Sequence, residues 1–158
     1  MKLQELIVES ALIPALEGVN RDAVIREMVA ALVRAGIIEP AHEDKIIASI
    51  LDREKKGSTG FGKGVAVPHV KHSSIRKMCA TIGVSAKGVE FNALDRQPVY
   101  SVFMLLSPAD QPEQHLRAME IIFGNLSQDT FRRFLKQAST VDDILTLLRE
   151  ADSDQLVK

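Results

Sequence analysis

The sequence is poor in cysteine and in aromatic residues. It has one cysteine, no tryptophan, one tyrosine and six phenylalanines in 158 residues. The single cysteine, Cys79, excludes an intrachain disulfide bond. Its apolar neighbours in the stretch MCATIGV predict a buried thiol on a strand, and such a thiol fits a reducing compartment.

An excess of charge of one sign is also missing. Lys and Arg total 20, Asp and Glu total 21, and the net charge is -1. This balance argues against a broad surface for nucleic acid or anionic membrane. The most apolar run, VYSVFMLL, is far shorter than the ~20 residues that span a bilayer. Early charges in MKLQELIVES argue against a secretory signal. We therefore expect a cytoplasmic protein without membrane insertion.

What is present is the composition of a folded domain. The hydrophobic fraction is 46% and the charged fraction is 26%, and the length predicts one domain over residues 1–158. Predicted helices come first, strands cluster in the middle, and helices close the chain. This order predicts an α/β fold (formally α+β), a three-layer α/β/α sandwich with a central mixed β-sheet flanked by helices.

Local patterns place the individual elements. Asn20 predicts the cap of a helix in RDAVIREMVAALVRAG, and a second helix is expected from near Pro40 to Gly57. The strands are expected in VAVPH, MCATIGVS and PVYSVFMLLS, with ALIPAL as a short edge strand. A capping box is expected for the helix that begins at Pro112, with Leu116 on its core face. Two final helices are expected, with caps at Asp129 and Thr140.

The segment GSTGFGKGVAVPHVKH, Gly57 to His72, has a nucleotide-like glycine pattern. GSTGFGK fits G-x-x-x-x-G-K, but Gly64 stands where a phosphate loop needs Ser or Thr. The loop also leaves a helix and enters a strand, which is the reverse of the order in such loops. We therefore reject a nucleotide site. The glycines fit either a tight turn or an anion-binding loop with hydroxyls from Ser58 and Thr59, and taken alone they favour the turn.

The four histidines differ in context. His42 is expected to be solvated and His72 to lie in a polar loop, and no histidine pair has metal-site spacing, so no metal is expected. His69 follows Pro68 at the end of a predicted strand, and His115 lies near a predicted helix N-terminus. Each alone fits an ordinary structural or surface histidine. Together, beside a glycine loop, they predict an anionic site.

Two long stretches resemble a known family. LDREKKGSTGFGKGVAVPH and FNALDRQPVYSVFMLLSPADQPEQHL are similar to the enzyme IIA proteins of the fructose/mannitol class, which belong to the bacterial phosphoenolpyruvate-dependent sugar phosphotransferase system. The likeness covers most of the chain. It rests on an arginine before the glycine loop, A-V-P-H after it and H-L downstream. The GSTGFG form is most similar to the nitrogen-regulatory branch.

The resemblance implies a phosphohistidine carrier that needs no cofactor. His69 would accept a phosphoryl group from a histidine-containing phosphocarrier protein and pass it to an enzyme IIB. His115 corresponds to the second active-site histidine, and Arg53 to the arginine that faces the phosphoryl group. The residues implied beside the phosphoryl group in the glycine loop are Gly57, Ser58, Thr59 and Gly60.

Partner docking is expected around His69, with Phe61 and Val70 as apolar contacts. Val65 is a further candidate, for which core packing is at least as good an explanation. Val70 departs from the small residue, often glycine, that usually follows the active histidine in this family. The alternative function is a regulatory module in which phosphorylation of His69 controls partner binding without sugar transport. A third class, a non-catalytic relative such as a cytoplasmic domain of an anion transporter, fits poorly with the retained histidines and Arg53.

Overall fold

The computed structural model describes residues 1–154 of the chain. The helices are α1 (Leu3–Leu6), α2 (Arg21–Arg34), α3 (Glu43–Lys56), α4 (Pro112–Leu126), α5 (Asp129–Gln137) and α6 (Val141–Asp152). The strands are β1 (Val65–Ala66), β2 (His69–His72), β3 (Cys79–Val89) and β4 (Val99–Pro108). Short 3-10 turns cover Glu9–Ala11 and Pro40–His42.

The sheet is built around β4, whose apolar, β-branched sequence favours a strand buried on both faces. β3 pairs antiparallel with one edge of β4. β1 and β2 pair parallel with the other edge, with Val65 opposite Ser101 and His69 opposite Leu105. The predicted mixed sheet is therefore confirmed, and β1 and β2 form one edge line that is interrupted at Pro68.

Helices cover both faces of this sheet and give the predicted three layers. On one face, α2 and α3 pack against alternate strand residues that include Ala66, Met104 and Leu106. On the other face, α4, α5 and α6 pack against the intervening residues, which include Phe103 and Leu105. Successive strand side chains point to opposite faces. The alternation along β4 thus decides which residues meet α4.

Caps and periodicity explain where the helices form. Asn20 accepts a hydrogen bond from the amide of Ala23 and begins α2, as predicted. Thr140 and Asp143 form a capping box at the start of α6, which satisfies amide groups that the helix itself leaves unpaired. Gly36, with a φ of 79°, follows the end of α2. A glycine adopts this left-handed conformation at little cost.

Other helix starts differ from the prediction. Neither α4 nor α5 has a side-chain cap hydrogen bond, so the capping box at Pro112 and the cap at Asp129 were wrong. The residues in the N-cap positions are Gln111 and Gln128. The second helix is preceded by a 3-10 turn from Pro40, so α3 itself begins at Glu43. All three helices begin without a side-chain cap hydrogen bond.

The N-terminal segment lies along the free edge of β3. The expected edge strand in ALIPAL does not form as a continuous strand. Ile13 makes an isolated parallel bridge to Gly83, and Ile7 makes another to Ala80. The 3-10 turn Glu9–Ala11 separates the two bridges. Within residues 1–154, no helix is both long enough and apolar enough to cross a membrane.

Candidate functional site

His69 is the first residue of β2 and does not close the preceding strand. The prediction that the strand closes at Pro68 was wrong, because pairing with β4 resumes at His69 and runs to His72. The carbonyl of Pro68 accepts a hydrogen bond from the amide of Leu105 at 3.0 Å and so keeps the interrupted line in register. The His69 imidazole is consequently fixed by sheet pairing on its C-terminal side and by proline on its N-terminal side.

The sheet register brings the two predicted histidines together. His69 is paired with Leu105, whose side chain lies in the core under α4. His69 therefore points to the α4 face of the sheet, where His115 occupies the first turns of that helix. The two ring centroids are 5.4 Å apart and the ring planes are tilted by 46°. The predicted pair is thus one site, although 45 positions separate the residues in the chain.

A backbone hydrogen bond determines the tautomer of His69. Its Nδ1 lies 2.8 Å from the carbonyl oxygen of Val67. A carbonyl oxygen only accepts, so in the neutral ring Nδ1 carries the proton and donates it. The lone pair is then on Nε2. The half-buried ring is held in this orientation by its own strand.

The surroundings keep His69 neutral. Burial, the largest cause, lowers the pKa of His69 below its usual value, and the positive charges of Arg53 and Lys71 act in the same direction. The hydrogen bond to Val67 and the charge of Glu54 oppose this in part. Loss of solvation disfavours the charged imidazolium, and nearby cations act in the same direction. At neutral pH the ring therefore keeps the Nε2 lone pair that nucleophilic attack requires.

His115 is buried, with 7% of its surface exposed. Its Nδ1 lies 2.6 Å from the hydroxyl oxygen of Ser107, a residue of β4 with no exposed surface. Burial first, then repulsion from His69 when it is protonated and from Lys71, lowers the pKa of His115 to about 4. His115 is consequently neutral at pH 7 and offers one ring N–H to a neighbour.

Arg53 supplies positive charge from the C-terminal turn of α3. One guanidinium nitrogen, Nη1, donates to the carbonyl oxygen of Gly57 at 2.9 Å. None of the ion pairs found within residues 1–154 includes Arg53. The surface carboxylate partner that would make Arg53 an ordinary helix-end cation is therefore missing from that part of the chain. The remaining guanidinium donors stay available to an anion.

The glycine loop is held mainly by internal hydrogen bonds. The amide of Thr59 donates to Oε1 of Glu54 at 3.1 Å, and the amide of Gly60 donates to the hydroxyl of Ser58 at 3.0 Å. The amide of Gly57 donates to the carbonyl of Glu54. These three amides already have partners, which favours the turn interpretation of the glycines. Phosphate binding by the loop stays a prediction.

One glycine of this loop is required by close packing. A Cβ atom on Gly60 would lie 2.9 Å from the Cβ of Ala93. Glycine thus allows the loop to approach the segment that precedes β4, where the carbonyl of Gly60 accepts from the amide of Leu94 at 2.7 Å. A second backbone hydrogen bond, from the amide of Val67 to the carbonyl of Thr59, ties the loop to the residue that follows β1.

The predicted docking residues divide into core and rim. Val65 is 2% exposed and belongs to the core, so core packing is the correct explanation for this residue. Phe61 is half-buried, with its ring centroid 5.1 Å from that of Phe123, and Val70 is half-buried on the opposite face of the sheet. Leu116, expected in the core, is 60% exposed. The residue beside His115 is therefore an apolar surface group.

The other histidines lie outside this site. His42 is half-buried in the 3-10 turn before α3, 3.6 Å from Glu39. His72 ends β2 and does not lie in a loop, so that expectation was wrong, and its Nδ1 accepts from the amide of Ser74. Among residues 1–154, no cluster of three or more His, Cys, Asp or Glu residues is placed to hold a metal ion. Cys79 is buried, and burial raises its pKa to about 11.

Comparison with known families decides the classification. Residues 6–151 match the family model described as phosphoenolpyruvate-dependent sugar phosphotransferase system, EIIA 2. The chain belongs to this family. The match extends over most of the described structure, from α1 to α6, and includes both histidines of the site. The resemblance inferred from the two sequence stretches is thereby confirmed.

Known EIIA relatives fall into sugar-transport and regulatory groups. The chain is 32% identical over 152 residues to a fructose-specific EIIABC component of the phosphotransferase system from Bacillus subtilis, covering 96% of this chain and 24% of that protein. It is 35% identical over 111 residues to a nitrogen regulatory protein from Klebsiella oxytoca, covering 69% of this chain and 68% of that protein.

A solved EIIA structure shares the fold. The nitrogen regulatory protein IIA-Ntr from Neisseria meningitidis superposes with a TM-score of 0.82 at 27% identity, covering 91% of this chain and 97% of that one. The likeness supports the three-layer arrangement described above. In this EIIA chain the fold places the two histidines together on one face of the sheet.

One residue of this EIIA site escaped the sequence analysis, which is Ser107, and it binds His115 directly. Glu54, which follows Arg53 and for which a structural role was expected, holds the glycine loop from a position with 2% exposure. For Ser107 a signal existed, since strand alternation from Phe103 and Leu105 puts it on the α4 face. For Glu54 the burial and the hydrogen bond from Thr59 could not be foreseen, because a carboxylate after Arg53 in a helix ordinarily lies on the surface.

Proposed function

We propose that this EIIA chain carries a phosphoryl group on Nε2 of His69. The observation that carries the proposal is the hydrogen bond from Nδ1 of His69 to the carbonyl of Val67 at 2.8 Å. It leaves Nε2 unprotonated in a half-buried ring that faces His115 across 5.4 Å. A neutral imidazole with a free lone pair is a nucleophile near pH 7.

The reaction transfers the group between two histidines. The Nε2 lone pair of His69 attacks phosphorus and forms a new N–P bond. The N–P bond of the donor phosphohistidine breaks in line, and the donor imidazole leaves with the electron pair. Because the group starts and ends as a phosphohistidine, reactant and product have similar energies, and the proposal requires no nucleotide. Catalysis then consists mainly of alignment and electrostatic stabilisation.

Arg53 and His115 supply that stabilisation in the proposal. In the transition state the negative charge is spread over three equatorial oxygens of the phosphoryl group. The guanidinium donors of Arg53 that do not bind Gly57 face no carboxylate within residues 1–154 and are assigned to these oxygens. The neutral His115 donates one further hydrogen bond. For the loop residues Gly57, Ser58, Thr59 and Gly60, we propose that they line the phosphoryl site while their internal bonds keep Arg53 in place.

The proposed donor is a histidine-containing phosphocarrier protein, and the proposed acceptor is an enzyme IIB. Val70, expected as an apolar contact, packs on the opposite face of the sheet. The docking surface for both partners is therefore assigned to the apolar rim formed by Phe61 and Leu116 on the α4 side. Leu116 is the more exposed of the two, and its side chain directly follows His115 in α4. An exposed leucine beside a reactive ring suits a transient interface better than a monomer surface.

Phosphorylation of variants tests the assignment. Purified protein is incubated with enzyme I, phosphoenolpyruvate and the phosphocarrier protein, and the phosphorylated fraction is followed by intact mass. His69→Ala is expected to gain no phosphoryl group, and the matched control His72→Ala, on the same strand, is expected to react at the wild-type rate. His115→Ala is expected to accept partly and to transfer onward slowly. Phosphorylation of His69→Ala at full rate would refute the proposal.

A second candidate is a regulatory role for the same phosphohistidine. It is favoured by the 27% identity and 0.82 TM-score to a nitrogen regulatory IIA-Ntr protein. In this role, phosphorylation of His69 adds negative charge at the apolar rim and changes partner affinity. A pull-down with phosphorylated and unphosphorylated protein distinguishes the two, followed by identification of bound proteins. Equal binding of both forms would reject the switch.

A further inference from the structure

The hydroxyl of Ser107 contacts the second histidine and has no assigned role. Its oxygen lies 2.6 Å from Nδ1 of His115. Ser107 is completely buried and His115 is 7% exposed. This is the only side-chain hydrogen bond found for either residue within residues 1–154. The contact joins β4 to α4 at the point where the phosphoryl group would be handled.

The direction of this hydrogen bond follows from counting donors. If Nδ1–H donated to Ser107, the hydroxyl hydrogen would have no acceptor at a site with no exposed surface. A buried polar group without a partner costs roughly 1–3 kcal/mol. If the hydroxyl donates to Nδ1, its hydrogen is satisfied, and the only other polar hydrogen of the two side chains is the single ring N–H on Nε2. The serine is therefore the donor and Nδ1 of His115 is the acceptor.

The fold explains why a serine is available at this point. Ser107 follows Phe103 and Leu105 on the same face of β4, and that face packs under α4. Its register partner on β2 is Lys71, two residues after His69. Period-two alternation thus places His69, Lys71 and Ser107 on one face, with His115 above them. Ser107 is thus a polar residue that follows the apolar Phe103 and Leu105 on this face, at the position that contacts His115.

We propose that Ser107 is a positioning residue that holds His115 in the tautomer with the proton on Nε2. His69 is held in the opposite tautomer by Val67, with the proton on Nδ1. The two facing rings then present complementary free ends, a lone pair on Nε2 of His69 and an N–H on His115. A phosphoryl group on His69 would receive a hydrogen bond from the N–H of His115. In the other tautomer of His115, the facing nitrogen would carry a lone pair and repel the phosphoryl oxygens.

The consequence for transfer rests on the proposed function, but the tautomer itself does not. Long-range ¹H–¹⁵N correlation spectra of the unmodified protein at pH 7 identify which ring nitrogen carries the proton. We expect a protonated Nε2 and an accepting Nδ1 for His115. A protonated Nδ1 in the wild-type protein would overturn the proposal, whatever the phosphorylation assays show.

Variants then separate positioning from packing. Ser107→Ala is expected to populate the Nδ1–H tautomer of His115 and to lower kcat for phosphoryl transfer on the order of 10-fold, as loss of an orienting partner does. KM for the phosphocarrier protein is expected to stay unchanged because the docking rim is intact. Ser107→Thr keeps the hydroxyl and is expected to restore the tautomer and most of the rate.

A matched control lies on the same strand. Ser101 is 3% exposed and occupies the same face of β4, six residues before Ser107. Ser101→Ala is expected to leave the tautomer and the rate unchanged. An unchanged His115 spectrum and unchanged rate in Ser107→Ala would overturn the proposal. A changed spectrum with no phosphorylation of any variant or of wild type would keep the tautomer assignment and reject the proposed function.

Discussion

The buried His115 makes the stability of the fold depend on pH in a defined window. Its pKa is lowered from 6.5 to about 4, first by burial and then by repulsion from His69 when it is protonated and from Lys71. Between these two values the unfolded chain binds a proton that the folded chain does not bind. The unfolding free energy therefore falls as the pH falls from 6.5 towards 4. Above pH 6.5 the ring is neutral in both states and the full unfolding free energy is retained.

The size of the effect follows from the two pKa values. At pH 4.5, a shift from 6.5 to about 4 corresponds to a ceiling of about 2.5 kcal/mol, at ~1.4 kcal/mol per pH unit. The site opens at the protein surface, so water screens part of the interaction and the imidazolium is partly solvated. We therefore expect a loss of about 1–2 kcal/mol between pH 7 and pH 4.5.

Comparison of the wild type with His115→Asn isolates this term. Asn does not titrate but keeps a polar group beside Ser107, whereas other acidic and basic groups titrate in both proteins. Because the chain has no tryptophan, urea unfolding is followed by far-UV circular dichroism at intervals from pH 4.5 to 7. The difference in unfolding free energy should change by about 1–2 kcal/mol in favour of the wild type as pH rises. A flat difference, or an NMR titration of His115 near pH 6.5, would refute the reasoning.

Three further substitutions test separate parts of the structure. Thr140→Ala removes the α6 capping box and should cost about 1 kcal/mol in urea unfolding, with no change in phosphorylation; a loss below about 0.3 kcal/mol would contradict the cap assignment. Arg53→Lys keeps the charge but loses the planar set of guanidinium donors. It should slow phosphorylation of His69 by roughly 10-fold or more without altering the unfolding free energy. An unchanged rate would show that Arg53 does not act on the phosphoryl group. Glu54→Ala leaves the amide of Thr59 unpaired in a buried position and should lower the unfolding free energy by about 1–3 kcal/mol. Glu54→Gln keeps the accepting oxygen and should lower it less, and equal losses would show that the accepting oxygen is unimportant.

The local elements were predictable because their signals are local. The side-chain caps of α2 and α6 are each set by a short polar residue, Asn20 or Thr140, and both were found where the sequence placed them. The strands β3 and β4 were equally clear from β-branched apolar runs. Where the sequence analysis was wrong, as for Leu116 and for the strand expected to end at Pro68, the outcome depended on contacts with distant segments.

Leu116 illustrates this limit. Helical periodicity groups it with the apolar residues of α4, and a rotation of the helix by one position decides which of them reach the sheet. The helix is turned so that His115 and Ala118 face β4, and Leu116 is left 60% exposed. Burial of a histidine in place of a leucine costs apolar contact. The hydrogen bond from Ser107 offsets part of that cost, and it can only be seen once the strand and helix are placed together.

The meeting of the two histidines requires one more fact than the sequence provides, which is the register of β2 on β4. A shift of one residue would turn His69 to the opposite face of the sheet, towards α2 and α3, and Val70 towards α4. The observed pairing of His69 with Leu105 avoids this, and it is fixed by the amide of Leu105 that donates to Pro68 across the break. Pro68 lacks an N–H but retains its carbonyl, so it interrupts the strand without releasing the register. The carbonyl of the residue before the histidine therefore helps to set which face of the sheet His69 occupies.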